Sequence, residues 1–186
     1  MTTAAIDGVD RIGVKLYAEN PAEVAPERFI GLFHSWIQRH TVPGLLIDVA
    51  DYGHIPEGPG VMIIGHEADY AIDLGEGRPG VLYQRKRDGE GSLDDRLRVA
   101  LETANHAANE IEADASVGVL RFSRSEIVVR VLDRRRIPNV EGSVEVMRGA
   151  IDGAVSEVFP GRTVTSVARF GADGDPLSLR VTLSDA

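Results

Sequence analysis

The chain contains no cysteine. Disulfides, thiolate metal sites, iron–sulfur clusters and cysteine nucleophiles are therefore excluded. Lysine is almost as scarce, with Lys15 and Lys86 the only two among 20 basic residues. The accompanying excess of arginine and alanine fits a GC-rich bacterial genome and says nothing of function. No apolar run approaches the roughly 20 residues of a membrane span. The opening M-T-T-A-A-I-D-G-V-D has neither the basic start nor the apolar stretch of a secretory signal. A cytoplasmic chain with no membrane contact is the expectation.

Positive charge is also in short supply. Against 20 basic residues stand 29 acidic ones, a net charge of −9, so the bulk attraction to phosphate backbones that nucleic-acid binders use is not expected. Two local clusters break the trend: Arg85, Lys86 and Arg87, and Arg130, Arg134, Arg135 and Arg136. Each reads as a solvated strand end or loop. Brought together, they would suit a small anion or an acidic partner chain.

The familiar chemical signatures are missing as well. There is no G-x-S-x-G elbow, no phosphate loop, no dinucleotide fingerprint opening a helix, no H-E-x-x-H and no calcium loop. The glycines at 58 and 60 precede a strand pattern and so lack the helix N-terminus of a phosphate cradle. No cofactor is implied.

What is present is ordinary globular material. With 186 residues, 43% hydrophobic and 26% charged, the chain is long enough to bury roughly 70% of its unfolded surface in a single domain. Ile12, Val14 and Leu16 alternate with Gly13, Lys15 and Tyr17, which predicts a strand with one buried and one wet face. Phe29, Leu32, Phe33, Trp36 and Ile37 recur at helical spacing and form an aromatic stripe, stopped by Pro43-Gly44. Residues 45–52 read as a strand, 53–60 as a loop, 61–74 as one long strand, and 81–87 as a strand entered through a hairpin.

Ser92, with Asp95 three residues on, predicts a capped helix whose apolar face is Leu93, Leu97, Ala100, Leu101, Ala104, Ala108 and Ile111. Strands are expected at 117–122 and 127–132 around S-R-S-E. A third helix carries Val144, Met147, Ile151, Val155 and Val158, and a last hairpin ends in the alternation Leu177, Leu179, Val181, Leu183. The order β-α-βββ-α-ββ-α-ββ predicts an α+β fold of predominantly antiparallel sheet with three helices packed on one side. A break at 88–91 would divide it into two βαββ-like halves.

Within this frame the titratable residues concentrate between 48 and 73. On a regular strand from 61 to 74, His66 shares a face with Met62, Ile64, Ala68, Tyr70 and Ile72 and points inward. Glu67, Asp69 and Asp73 point the other way, unless the glycine at 65 marks a bulge. An inward imidazole is either a satisfied core group or the floor of a pocket. The pocket reading makes His66 a general base oriented by Asp48 or Asp51, with His34, His54, Tyr70 and Trp36 around a small ligand beneath the aromatic helix. A metal held by His34, His54 and His66 is a weaker variant, because their spacing matches no standard ligand pattern. His40 ends a helix, where a cationic ring interacts favourably with the dipole, and His106 reads as solvent-exposed. The failure of every catalytic signature, together with long alternating strands whose edges need cover, points instead to self-association or partner binding.

Overall fold

A computed structural model describes residues 8–87 and 89–186. Positions 1–7 of the opening segment and position 88 of the expected break lie outside the described residues. The fold is the expected α+β class, with three helices and eight strands in an antiparallel sheet. The chain runs β1 (Ile12–Ala18), α1 (Arg28–Arg39), β2 (Leu46–Tyr52), β3 (Gly60–Gly65), β4 (Ala68–Asp73), β5 (Gly80–Arg85), α2 (Leu93–Ala113), β6 (Phe122–Val131), α3 (Gly142–Val158), β7 (Arg162–Phe170) and β8 (Leu177–Asp185). The strand order is β2-β3-β4-β5-β1-β6-β8-β7, which leaves β2 and β7 as the edges.

Residues cluster into two compact units. One comprises 15–84 and 103–123; the other comprises 8–14, 85–87, 89–102 and 124–186 of the described residues. The strands β1 and β6 and the helix α2 each run from one unit into the other, so neither unit is a continuous piece of chain.

In the first unit, the aromatic stripe of α1 forms as its spacing predicts. Phe29, Leu32, Phe33 and Trp36 are buried, and the rings of Phe33 and Trp36 lie 5.2 Å apart. The helix packs on β2 and β3. It ends at His40, which adopts the left-handed conformation (φ 53°) and donates its N–H to the Trp36 carbonyl, a C-terminal cap more often built on glycine.

The expected strand over 61–74 is two strands. β3 and β4 are joined by a turn at His66 and Glu67, and Val61 pairs with Ile72 and Ile63 with Tyr70. Gly65 permits the turn, because a Cβ there would stand 2.1 Å from the Ala68 carbonyl oxygen. The Asp69 carboxylate accepts the Gly65 N–H at 3.1 Å. The turn changes parity: Ile63 and Tyr70, odd and even, now share a face. Asp69 and Asp73, expected on a wet face, remain opposite Tyr70 and Ile72, but that face of β4 is covered as well and both are buried. The bulge anticipated at Gly65 occurs opposite it, in β2, where Leu46 pairs with Gly65 and Asp48 with Ile64, leaving Ile47 as the extra residue.

The wet face expected for β1 is also buried. Lys15 has no exposed surface and Tyr17 is 1% exposed, as suits an interior strand of the sheet. Lys15 Nζ donates to Asp73 Oδ2 at 2.6 Å and to the Gly75 carbonyl at 3.0 Å. The Tyr17 hydroxyl donates to Glu76 Oε2 at 2.7 Å, and the Arg78 guanidinium stacks 3.6 Å from the Tyr17 ring centroid. A buried ammonium is tolerable only with such a partner.

In the other unit, the Ser92 cap is present as predicted. The Asp95 N–H donates to Ser92 Oγ at 3.2 Å, and the Asp95 carboxylate accepts the Ser92 N–H at 3.0 Å. Arg96, in the same turn, donates to the Val9, Ser92 and Gly91 carbonyls and pairs with Asp10. α3 packs on β7, and Leu177, Leu179, Val181 and Leu183 are buried in β8 as their alternation requires. The two strands expected around S-R-S-E are one, β6. That tetrapeptide carries no glycine, proline or asparagine to turn on, and Glu126 continues the ladder opposite Thr182. Residues 115–117 form a short 3-10 turn instead, with Asp114 accepting the Ser116 N–H at 2.8 Å.

Candidate functional site

The turn that divides β3 from β4 places His66 at the surface. Its side chain is 46% exposed, and Nδ1 lies 2.8 Å from Glu67 Oε1. His66 therefore does not face the core, and it is not turned away from Glu67. The hydrogen bond from His66 holds the Glu67 carboxyl below the ordinary carboxylate range. The second Glu67 oxygen accepts the Leu45 N–H at 3.4 Å, and the His66 N–H donates to the Leu45 carbonyl at 2.8 Å. The pair thus fastens the turn to the start of the edge strand.

The residues expected to surround His66 are dispersed. Asp51 pairs with Val61 at the opposite end of β3, five residues away and roughly 17 Å along the strand. Its carboxylate accepts the Gly53 N–H at 2.8 Å. Asp48 pairs with Ile64, nearer the turn, but its carboxylate accepts the Val49 N–H at 2.8 Å. Both are exposed. His54 lies exposed in the loop that joins β2 to β3, again at the end away from His66. His34 is on the exposed side of α1. Among the described residues, no group of three or more histidines and carboxylates is placed to hold a metal ion. The set His34, His54 and His66 is not assembled.

Trp36 and Tyr70 are core residues. Trp36 closes the aromatic stripe, and the Tyr70 hydroxyl donates to the Pro43 carbonyl at 2.7 Å. Burial, then the neighbouring Tyr83, pushes the Tyr70 phenol well above its ordinary range, so it acts as a donor that pins the exit of α1. His106 is half-buried, with Nε2 3.0 Å from the Thr41 carbonyl, in place of the exposed position its helix face suggested. A cleft of about 330 Å³ does run beside α1, but its lining of Arg28, Leu32, Ser35, Arg39, Asp114 and Ser116 lies toward the 115–117 turn.

Around His66 the arrangement that remains is an edge. β2 has a neighbour on one side only in the strand order, and Leu45 and Ile47 are 62% and 58% exposed. Glu67 and His66 border the first of them. Parity alone hides this patch from sequence reading. Residues 45–52 look like a nearly continuous apolar strand, and only the strand order shows that nothing in the sheet covers its outer side. No family model and no curated protein matches this sequence. No helix among the described residues is long and apolar enough to cross a membrane.

Proposed function

We propose that the protein is a self-associating module that pairs with a second copy of itself through β2. One observation carries the reading: the edge strand β2 and the residue just before it display two large aliphatic side chains, Ile47 and Leu45, each more than half exposed. Open sheet edges invite pairing, and proteins that remain alone blunt them with charge, proline or distortion. Here the distortion is the bulge at Ile47, which presents an aliphatic side chain and no charge.

A second copy suits this patch through its own chemistry. A twofold axis at Ile47 sets Ile47 against its mate and brings each Leu45 under the other copy's aliphatic residues, the self-complementary arrangement of an isologous interface. In that register Asp48 faces Leu46 and Asp51 faces Pro43 of the other copy, so the carboxylates of β2 do not oppose each other. Like charges directly across a strand pair would be destabilising. His66 and Glu67 form part of the polar rim that such interfaces carry around an apolar centre. On this reading His66 contacts a partner and does not transfer protons.

Sedimentation equilibrium of the full chain tests the proposal. A reversible dimer is expected, and Leu45→Ser with Ile47→Asp is expected to weaken it at least tenfold with an unchanged thermal midpoint. A strict monomer at high micromolar concentration, or a dimer indifferent to the double substitution, overturns it.

A further inference from the structure

In the unit that contains α3, the turn following β6 collects arginine in a way that the rest of this acidic chain does not. A cleft of about 340 Å³ is lined by Arg11, Leu132, Asp133, Arg134, Arg135 and Arg136. Among the described residues four guanidiniums meet one carboxylate there, a local excess of three positive charges in a protein of net charge −9.

The one carboxylate is already spent. Asp133 Oδ1 accepts Arg11 Nε at 2.8 Å and Arg11 Nη2 at 2.7 Å, and Oδ2 accepts the backbone N–H groups of Asp10 and Arg11 at 3.1 and 3.0 Å. Burial alone would raise the Asp133 carboxyl, but those donors outweigh it and hold the group below its ordinary range. Asp133 also shapes the turn, since its carbonyl accepts the N–H groups of Arg136 and Ile137 at 2.8 and 3.1 Å. The three consecutive arginines are thereby carried on a backbone that is fixed at its first residue.

Those arginines are not neutralised within the cleft. Arg134 donates to the Gly174 carbonyl at 2.8 Å, an uncharged acceptor. The side chains of Arg135 and Arg136 are exposed and have neither a hydrogen bond nor an ion pair with another described residue. Arg136 is nevertheless positioned, because its guanidinium lies against the bare Cα of Gly8, where a Cβ would stand 2.1 Å from Nη1. Consecutive like charges held together in one concavity repel, and an oxyanion between them removes that repulsion.

We infer that this cleft is a binding site for a compact phosphoryl anion of the orthophosphate or pyrophosphate class. Guanidinium forks approaching from several directions match the tetrahedral oxygens of phosphate, and an excess of three charges matches a polyanion better than a single carboxylate. Among the described lining residues Leu132 alone is apolar, and none is aromatic, which favours a compact anion over a nucleotide.

Titration calorimetry of the full chain at low ionic strength, with inorganic pyrophosphate and then orthophosphate, decides the matter, with acetate as the carboxylate control. Saturable binding of pyrophosphate is expected, weakened at least tenfold in Arg135→Gln/Arg136→Gln and several-fold in Gly8→Ala, which displaces only the tip of Arg136. Arg98→Gln, which removes a guanidinium paired with Glu102 and Glu157 on α2 and α3, is expected to bind as the unaltered chain does. Arginine Nε–H resonances supply a second readout, with those of Arg135 and Arg136 shifting on addition of pyrophosphate. The absence of saturable heat with either phosphate overturns the inference. So does equal binding by the Arg135/Arg136 double variant, an equal response to acetate, or an equal loss in Arg98→Gln.

Discussion

Removing the carboxylate of Asp73 would take a charged partner at 2.6 Å from the Lys15 ammonium, which has no exposed surface. Breaking a buried pair from one side typically costs about 3–5 kcal/mol, whereas replacing both partners by apolar residues of similar size is often neutral or stabilising. Urea denaturation is therefore expected to show Asp73→Ala destabilised by about that amount, with Lys15→Met/Asp73→Leu recovering most of the loss. If the double variant is as unstable as the single one, the pair does more than neutralise itself. Nothing in the alternation of β1 foretold this lysine's burial. Period two assigns Lys15 to the face opposite Ile12, Val14 and Leu16, and that assignment is right. Whether the second face is covered depends on the place of β1 in the strand order, which no local pattern encodes.

Element by element, the signals that were readable are those whose physics is local. The Ser92–Asp95 cap is one. Both its reciprocal hydrogen bonds form, and the apolar positions that follow along α2 are buried as their spacing requires. Ser92→Ala is expected to cost about 1 kcal/mol in equilibrium unfolding, the usual value for loss of an N-cap. A loss indistinguishable from zero would mean that the Arg96 contacts hold the helix start by themselves. The aromatic face of α1 and the alternation of β8 were legible for the same reason. The strand over 61–74 reads as one because its turn has neither proline nor a positive-φ residue, and its one mark, Gly65, fits a bulge in an unbroken strand equally well. β3 is apolar on both parities, so either of its faces could run on into Tyr70 and Ile72, and an unbroken strand groups His66 with Ile64 and Tyr70. The pocket built around it depended on that single parity and dissolves with it.

At the scale of the whole molecule, net charge sets two opposite salt dependences. Two copies that each carry −9 repel, and added salt screens that repulsion, with a Debye length that falls from about 30 Å at 0.01 M to about 10 Å at 0.1 M. Self-association is therefore expected to tighten as ionic strength rises, while pyrophosphate binding at the arginine turn weakens over the same range. Sedimentation and calorimetry across one salt series test both at once, and a shared direction would sink one of the two assignments. The two edges of the sheet have one further consequence. β7, like β2, carries a bulge, between Val164 and Ser166, but unlike β2 it holds Arg162 and Arg169 in ion pairs with Asp185 and Asp173. It shows none of the bare aliphatic side chains of β2. The proposed pairing through β2 would use up the aliphatic edge of both copies and leave only this charged one. On the proposed pairing the stoichiometry would close at two, and the sheet would not elongate copy by copy into a fibre.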